Sequence, residues 1–167
     1  MDRSLSTVGR TELIQLADYG SQVVVLAKVD TGADLSCIWA SDVSENDGVL
    51  SFVLFDKDSP YYTGETIRIS RPDYRPVRIA NSFGHKERRY VVKIRIRING
   101  RLIRAAFSLA DRREKKYPVL IGRKLLHKKF LVDVSRVSAD QCLTTSSPDP
   151  LISQTKDHRI RSKGVQV

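Results

Sequence analysis

The residues best suited to chemistry are Asp30, Thr31 and Gly32, which follow an apolar run over residues 23–29 that is rich in β-branched side chains. Such a run predicts a buried strand that ends at the carboxylate of Asp30. The hydroxyl of Thr31 can hydrogen-bond this acid and Gly32 lets other backbone approach closely, which suits acid–base catalysis. The same three residues also fit an ordinary turn that closes a hairpin. This segment alone leaves both interpretations open.

A second segment, residues 117–126, favours the catalytic interpretation. It is a short apolar run that ends at Gly122-Arg123 and continues into a predicted helix with Leu125 and Leu126. Asp-Thr-Gly-Ala, followed much later by two apolar residues, Gly, Arg and a Leu-Leu helix, resembles the retropepsin-like aspartic proteases. The resemblance implies an all-β (mainly β) fold, namely a retropepsin-like acid protease barrel with a flap hairpin and one short C-terminal helix.

Further segments narrow the resemblance to the bacterial RimB-like family, whose members are similar to retropepsins and often carry the label of ATP-dependent zinc proteases. The segments concerned lie within roughly residues 8–134 and are residues 8–13, 27–33, 81–89, 109–112 and 120–123. Asp34 departs from the family pattern, which has a basic residue there, and so does Trp39, where histidine is common. Both departures bear on peptide specificity. For Trp39 itself we expect packing in the core or in a dimer interface.

The chain length predicts one folded domain and a partner of the same sequence. With 167 residues and 41% hydrophobic content it can form one core, which we place at residues 1–137. The polar and basic residues 138–167 are expected to form a disordered tail. Because only one Asp-Thr-Gly is present, a site with two aspartates requires a homodimer. Two Asp30 carboxylates would then flank one water molecule, one protonated and the other acting as base. Were a monomer active, Asp111 would be the first candidate for the second acid.

Alternating apolar residues and closely spaced turn residues predict a small barrel-like sheet protein. Residues 1–7 are expected to be frayed, and Pro72 and Pro76 to interrupt the β pattern. The other expected strands are at residues 10–16, 49–55, 67–69 and 130–133, and the apolar residues of 35–40 are expected to pack just behind Asp30.

The clearest local prediction is a hairpin. Apolar and basic residues alternate over residues 90–98, Asn99-Gly100 supplies a type I′ turn, and apolar residues alternate again over residues 103–109. Residues 80–87 form a polar, glycine-containing connection just before it. The resemblance implies that this connection is a flap that closes over the substrate. Its composition by itself fits an ordinary surface loop.

The net charge of +10 is concentrated in two clusters, at residues 86–104 and 112–129. Such clusters attract polyanions, which include nucleic acids, membrane surfaces and acidic peptides. A solvated face that only confers solubility is the alternative.

The resemblance to RimB-like proteins implies hydrolysis of α-glutamyl peptide bonds, which trims glutamate tails from a small-subunit ribosomal protein. Arginine side chains would hold the substrate carboxylates, and Asp34 would form a bidentate, partly buried ion pair with Arg123 beneath the active site. The residues expected to contact the substrate are Ala33, Asp34, Gly84, Arg88, Arg89, Arg112 and Arg123.

Neither zinc nor ATP is expected as a cofactor. The histidines, His85, His127 and His158, form no His-Glu-x-x-His motif, and no phosphate-binding Gly-x-x-x-x-Gly-Lys-Ser/Thr loop is present. Cys37 and Cys142 lie far apart and suggest free thiols in a reducing compartment. No apolar stretch is long enough to cross a bilayer and the first residues lack a signal-like core, so we expect a cytoplasmic protein without a membrane partner.

A non-catalytic function is the competing hypothesis. A basic β module derived from a protease could bind RNA or the ribosome, with Asp30 as a turn residue. Binding of single-stranded RNA usually needs aromatic side chains on which bases stack, and these are few among the basic strands. Tyr90 and Phe107 are the main ones.

Overall fold

The computed structural model describes residues 5–18, 23–80 and 86–137. Strands make up 61% of the structure and helix 3%, which confirms the mainly β prediction. The elements of the described residues are β1 (Ser6–Val8), β2 (Thr11–Leu16), β3 (Val24–Asp30), β4 (Ser36–Asn46), β5 (Val49–Leu54), β6 (Thr66–Ser70), β7 (Tyr74–Ala80), β8 (Lys86–Ile98), β9 (Arg101–Ala110), β10 (Val119–Gly122), α1 (Arg123–Leu126) and β11 (Phe130–Val132).

Six of these strands close into a barrel, in the order β10-β3-β2-β8-β9-β4. Strand β10 closes the ring, because it pairs in parallel with β3 on one side and antiparallel with β4 on the other. The barrel interior is filled by aliphatic side chains, among them the fully buried Ile14, Ile38, Ile94 and Ile121. The predicted retropepsin-like barrel with one short helix is confirmed.

The hairpin of β8 and β9 has the predicted register. Asn99 and Gly100 have φ angles of 47° and 75°, the left-handed pair that a type I′ turn requires. Ile94, Ile96 and Ile98 point into the barrel and are fully buried, whereas the basic residues between them are exposed. The period-two alternation of the sequence therefore decided which face of β8 is buried.

Two local predictions were wrong. Ser6 and Thr7, expected to be frayed, belong to β1, which pairs in parallel with β11 and aligns Thr7 with Leu131. Pro76, expected to break the β pattern, lies inside β7. Among the described strands β7 pairs with β8 alone, and an edge strand tolerates a residue without an N–H because one of its sides needs no hydrogen bonds.

Trp39 is confirmed as a core residue. It is 9% exposed and packs edge-to-face against Phe55, with ring centroids 6.4 Å apart. Within the described residues its indole N–H has no hydrogen-bond partner. Residues 138–167, and with them the predicted tail and Cys142, lie outside the described residues, so the boundary at 137 stays a prediction. Cys37 is a buried free thiol. No helix in the described ranges is long and apolar enough to cross a membrane.

Barrel closure depends on a very close approach at Gly122, the last residue of β10. A Cβ atom built there would lie 2.5 Å from the carbonyl carbon of Leu35 and 2.6 Å from its oxygen. Both atoms belong to the backbone, so neither can rotate away. The N–H of Gly122 also donates to the buried hydroxyl of Ser36, at 3.0 Å.

We therefore expect Gly122→Ala to lower the free energy of unfolding by about 3 kcal/mol or more, at or above the upper end of ordinary overpacking. Denaturant unfolding followed by circular dichroism would measure this change. Gly48→Asn is the control, because nothing lies within 4 Å of a Cβ at Gly48 and asparagine tolerates its φ of 76°. Equal stability of Gly122→Ala and the parent protein would contradict the role of this contact.

Candidate active site

Asp30 is the last residue of β3 and is half-buried. The backbone N–H of Gly32 donates to its Oδ1 at 3.1 Å, and the N–H of Ala33 donates to its carbonyl oxygen at 3.3 Å. No described residue forms an ion pair with Asp30, so its carboxylate is held by backbone and is not neutralised by a cation. The predicted hydrogen bond from Thr31 to this acid is not found among the described residues of the single chain. Thr31 is exposed, and Gly32 supplies the donor instead.

The loop that carries Asp30 is held at the barrel seam, the place where β10 closes the barrel between β3 and β4. Arg123 and Lys124, at the start of α1, donate their backbone N–H groups to the carbonyl oxygens of Ala33 at 2.8 Å and Asp34 at 3.1 Å. Gly122 faces Asp30 in the parallel register of β10 and β3. The two sequence motifs are thus hydrogen-bonded to each other through main chain, which holds the loop without depending on flexible side chains.

The predicted ion pair between Asp34 and Arg123 is present. The hydrogen bond from Arg123 and its positive charge hold the pKa of the Asp34 carboxyl below its usual range, with a smaller contribution from the charge of Lys124, 4.0 Å away. The expected partial burial is not found in the single chain, since both side chains are about 60% exposed.

A cleft of about 390 Å³ opens beside the Asp30 loop. Its walls come from the loop itself, from the end of β7 and the start of β8, and from the segments around Arg112 and Leu120. The cleft contains four of the seven residues predicted to contact the substrate, Ala33, Asp34, Arg89 and Arg112, and also Gly32 from the predicted catalytic set. The lining residues are Gly32, Ala33, Asp34, Leu35, Cys37, Arg78, Ile79, Ala80, Arg89, Ser108, Arg112 and Leu120.

Arg89 is the best-anchored cation of this cleft. Its side chain is 22% exposed, and Nη2 and Nε donate to the carboxylate of Glu87 at 2.6 and 2.9 Å. A third group, Nη1, lies 3.9 Å from the sulfur of Cys37. Arg112 is also half-buried and donates to the carbonyl oxygen of Tyr117 at 2.9 Å. Both guanidinium groups are therefore held in place before any ligand binds.

The remaining predicted contacts are distributed differently. Arg123 does not line the cleft and reaches it only through its ion pair with Asp34. Gly84, expected in the flap, lies outside the described residues. Arg78 lines the cleft but was missed, because it follows Pro72 and Pro76, where the sequence predicted interruptions. Its position two residues before the predicted flap was the signal available for finding it.

Arg88 does not line the cleft; it binds Glu45 at 3.2 Å. The Glu45 carboxylate also accepts hydrogen bonds from Tyr74 at 2.7 Å, Arg71 at 2.9 Å and Tyr90 at 3.1 Å. These bonds, that from Tyr74 first, lower the pKa of Glu45 from 4.5 to about 2. Since Glu45 is on β4 and its partners lie on β7, β8 and the turn before β7, this cluster ties the paired strands β7 and β8 to β4.

Asp111, the candidate second acid for an active monomer, is paired with a cation. It forms an ion pair with Arg113 at 2.9 Å, and hydrogen bonds from the backbone and side chain of Arg113 lower its pKa. It lines another cavity, of about 370 Å³; Asp30 itself lines neither this cavity nor the 390 Å³ cleft, which begins at Gly32. In the described ranges no group of three or more His, Cys, Asp or Glu side chains is placed to hold a metal ion.

Comparison with known proteins places this chain in a family. The model of a family described as the retropepsin-like aspartic endopeptidase RimB matches residues 7–141. The chain belongs to the RimB-like family. The crystal structure of a Legionella pneumophila protein of unknown function, from the DUF785 group, is similar to this RimB-like chain with a TM-score of 0.62. It is 23% identical in sequence and the match covers 81% of this chain and 98% of that one, which shows a shared fold. No curated protein matches the sequence.

The RimB-like match includes both motifs that meet at the barrel seam, the segment around Asp30 and the segment around Gly122. A family of aspartic endopeptidases depends on a carboxylate that is accessible and not consumed by an internal ion pair. Within the described part of this RimB-like chain, Asp30 satisfies both conditions, whereas Asp34, Asp111 and Glu45 are each paired with arginine.

The low pKa of Glu45 leads to a pH-dependent prediction. A group whose pKa falls on folding stabilises the folded state above its unfolded pKa, and this contribution is lost as the pH falls through the folded pKa. Glu45→Gln should therefore be less stable than the parent protein at pH 7, and the difference should shrink between pH 4.5 and about 2. Urea unfolding at a series of pH values measures it.

Glu65→Gln is the control, because Glu65 is exposed and lies outside this cluster. It should leave the unfolding free energy at pH 7 unchanged. A stability difference for Glu45→Gln that stays constant down to pH 2 would contradict the assignment.

Proposed function

We propose that this chain is an aspartic peptidase that acts as a homodimer and hydrolyses peptide bonds between two Asp30 carboxylates. The observation that carries the proposal is the position of Asp30: a carboxylate without an ion-pair partner among the described residues, held by the N–H of Gly32 beside the cleft. The RimB-like match agrees with it, since that family is described as aspartic endopeptidases.

The proposed reaction needs two carboxyl groups and one water molecule. Like charges close together cannot both ionise cheaply, so one Asp30 keeps its proton and the other is the base. The base removes a proton from water as the water oxygen attacks the scissile carbonyl carbon, and the protonated Asp30 donates to the carbonyl oxygen. A proton then passes to the amide nitrogen, the C–N bond breaks, and a carboxylic acid and an amine leave. The titration belongs to the pair of acids.

Support for a second copy comes from the surroundings of Asp30. The two other acids that the sequence placed near the site, Asp34 and Asp111, are both bound to arginine. Thr31 and Gly32, next to Asp30 in the chain, are exposed in the single chain. A twofold axis beside this loop would bring the two Asp30 residues together and cover Thr31 and Gly32 at the same time.

The proposed substrate is an acidic peptide, of which an α-glutamyl tail of a ribosomal protein is the form implied by the family resemblance. Support for an acidic substrate comes from the cleft. Arg89 and Arg112 are anchored there by hydrogen bonds, and Arg78 on β7 is exposed. Arginine binds carboxylates through paired hydrogen bonds, and a half-buried guanidinium does so more strongly than a fully solvated one. The Nε and Nη2 groups of Arg89 already donate to Glu87, so a substrate carboxylate would bind through Nη1 or displace Glu87.

Replacing the proposed catalytic acid gives the first test. Asp30→Asn should lower kcat for a glutamate-rich peptide by about 10²–10⁴-fold, because the amide can act neither as base nor as acid. Asp47→Asn is the matched control, since Asp47 is exposed and its φ of 50° is tolerated by asparagine. Both variants should unfold like the parent protein. Unchanged cleavage by Asp30→Asn would overturn the proposal.

Mixing the two proteins tests the dimer separately. Excess Asp30→Asn added to the parent protein, with time for subunits to exchange, should inhibit cleavage, because each mixed dimer holds one intact acid. A monomeric enzyme would be indifferent to the addition. Parent protein that binds RNA but cleaves no acidic peptide would favour the non-catalytic binding module.

Substrate selection by the cleft gives a further prediction. Arg89→Gln should lower kcat/KM for a glutamate-rich peptide by about 10- to 100-fold, the equivalent of one charged hydrogen-bonding group at about 1.5–3 kcal/mol. A peptide with glutamine in place of glutamate should be cleaved poorly by the parent protein and little affected by the substitution. Arg88→Gln is the control on the adjacent residue, since Arg88 does not line the cleft. Equal losses for Arg88→Gln and Arg89→Gln would contradict this assignment.

A further inference from the structure

The outer face of the β8–β9 hairpin carries a second set of cations that the peptidase site does not use. We name Lys93, Arg95, Arg97 and Arg104 the barrel-face cations; all four are exposed. Strands β8 and β9 place Arg95 directly opposite Arg104, and Lys93 and Arg97 flank Arg95 on the same face. Like charges in directly opposite positions destabilise a sheet, so folding alone does not favour this arrangement.

These side chains are largely unneutralised. The carboxylate of Asp18 accepts hydrogen bonds from the side chain of Arg95 and from the backbone N–H of Arg95, the latter at 2.7 Å. These bonds fix the position of Arg95. Lys93, Arg97 and Arg104 form no ion pair with any described residue. Successive cations along β8 are about 7 Å apart, a separation comparable to that of neighbouring phosphates along a nucleic-acid strand.

The surface is separate from the peptidase cleft. Arg89, which lines the cleft, is four residues before Lys93 and eight before Arg97, or about 14 and 27 Å along an extended strand. A ligand on the barrel-face cations would therefore leave the cleft open.

The surroundings of the cations restrict the chemistry of the partner. Around Arg97, residues 96–98 of β8 are paired with both β2 and β9, so this stretch of β8 offers no free strand edge to a peptide. Ala106 and Leu102, not aromatic rings, lie opposite Lys93 and Arg97, so bases of a single strand have nothing to stack on. The regular spacing of these exposed cations suits attraction to an array of phosphates.

We infer that the barrel-face cations form a docking surface for the phosphate backbone of double-stranded RNA. The four cations lie on paired strands of the barrel wall, β8 and β9, and not on a helix that could enter the major groove of B-form DNA. The minor groove of A-form RNA is wide and shallow and is bound through its phosphates and 2′-hydroxyls, which suits a broad cationic face. The interaction is independent of sequence and sensitive to salt.

The test uses fluorescence anisotropy of the full chain with a labelled RNA duplex of about 20 base pairs, slightly longer than a typical double-stranded RNA footprint. The triple variant Lys93→Gln, Arg97→Gln, Arg104→Gln should weaken binding at least about tenfold. It should also reduce the slope of log K against log salt concentration by about 2 to 3, close to one unit per lost phosphate contact. Its peptidase activity on a short peptide should equal that of the parent protein, because none of the three residues lines the cleft.

A matched triple variant controls for net charge. Lys57→Gln, Arg68→Gln, Lys115→Gln removes three exposed charges elsewhere on the protein and should bind the duplex like the parent. Circular dichroism must show that both triple variants are folded. Equal weakening by both triples, or no binding by the parent protein, would overturn the inference. Equal or tighter binding to a DNA duplex, to anionic vesicles or to polyglutamate through the same three residues would overturn the assignment to RNA.

Discussion

The contact between Gly122 and the backbone of Leu35 is the constraint on which the other features of the site depend. Since Gly122 has no Cβ, β10 can lie between β3 and β4 and close the barrel. The same approach brings the start of α1 within hydrogen-bonding distance of Ala33 and Asp34. Barrel closure and the geometry of the Asp30 loop are thus consequences of one packing event. Backbone contacts of this kind position an acid more rigidly than side chains, because they lose no rotamer freedom.

The cleft divides its tasks between backbone and side chains. Asp30 is held by the N–H of Gly32, whereas the guanidinium groups that line the cleft come from separate segments and are proposed to bind the substrate. Arg89 is kept in place by Glu87 on its own strand, and Glu45 ties the paired strands β7 and β8 to β4. Strand β8 therefore contributes to the cleft at one end and carries the barrel-face cations at the other.

The two departures from the RimB-like pattern have different consequences. Asp34 lines the cleft and pairs with Arg123, so this departure changes the charge on the wall of the cleft. Trp39 packs against Phe55 in the core and is absent from the lining of the cleft. Trp39 therefore has no direct contact with the cleft through which it could affect peptide specificity.

Local patterns in the sequence determined much of this protein, namely the β8–β9 hairpin, its Asn99-Gly100 turn, the strand before Asp30 and the strand–helix step at Gly122. Each depends on neighbours along the chain, through period-two burial and turn geometry. Tertiary structure alone decided that Arg89 and not Arg88 enters the cleft, since both are basic and strand pairing sets the face that each occupies. Tertiary structure also decided that the backbone N–H of Gly32 holds Asp30, which the identity of the side chains does not reveal. Both outcomes arise from contacts between segments far apart in sequence, which no local pattern encodes.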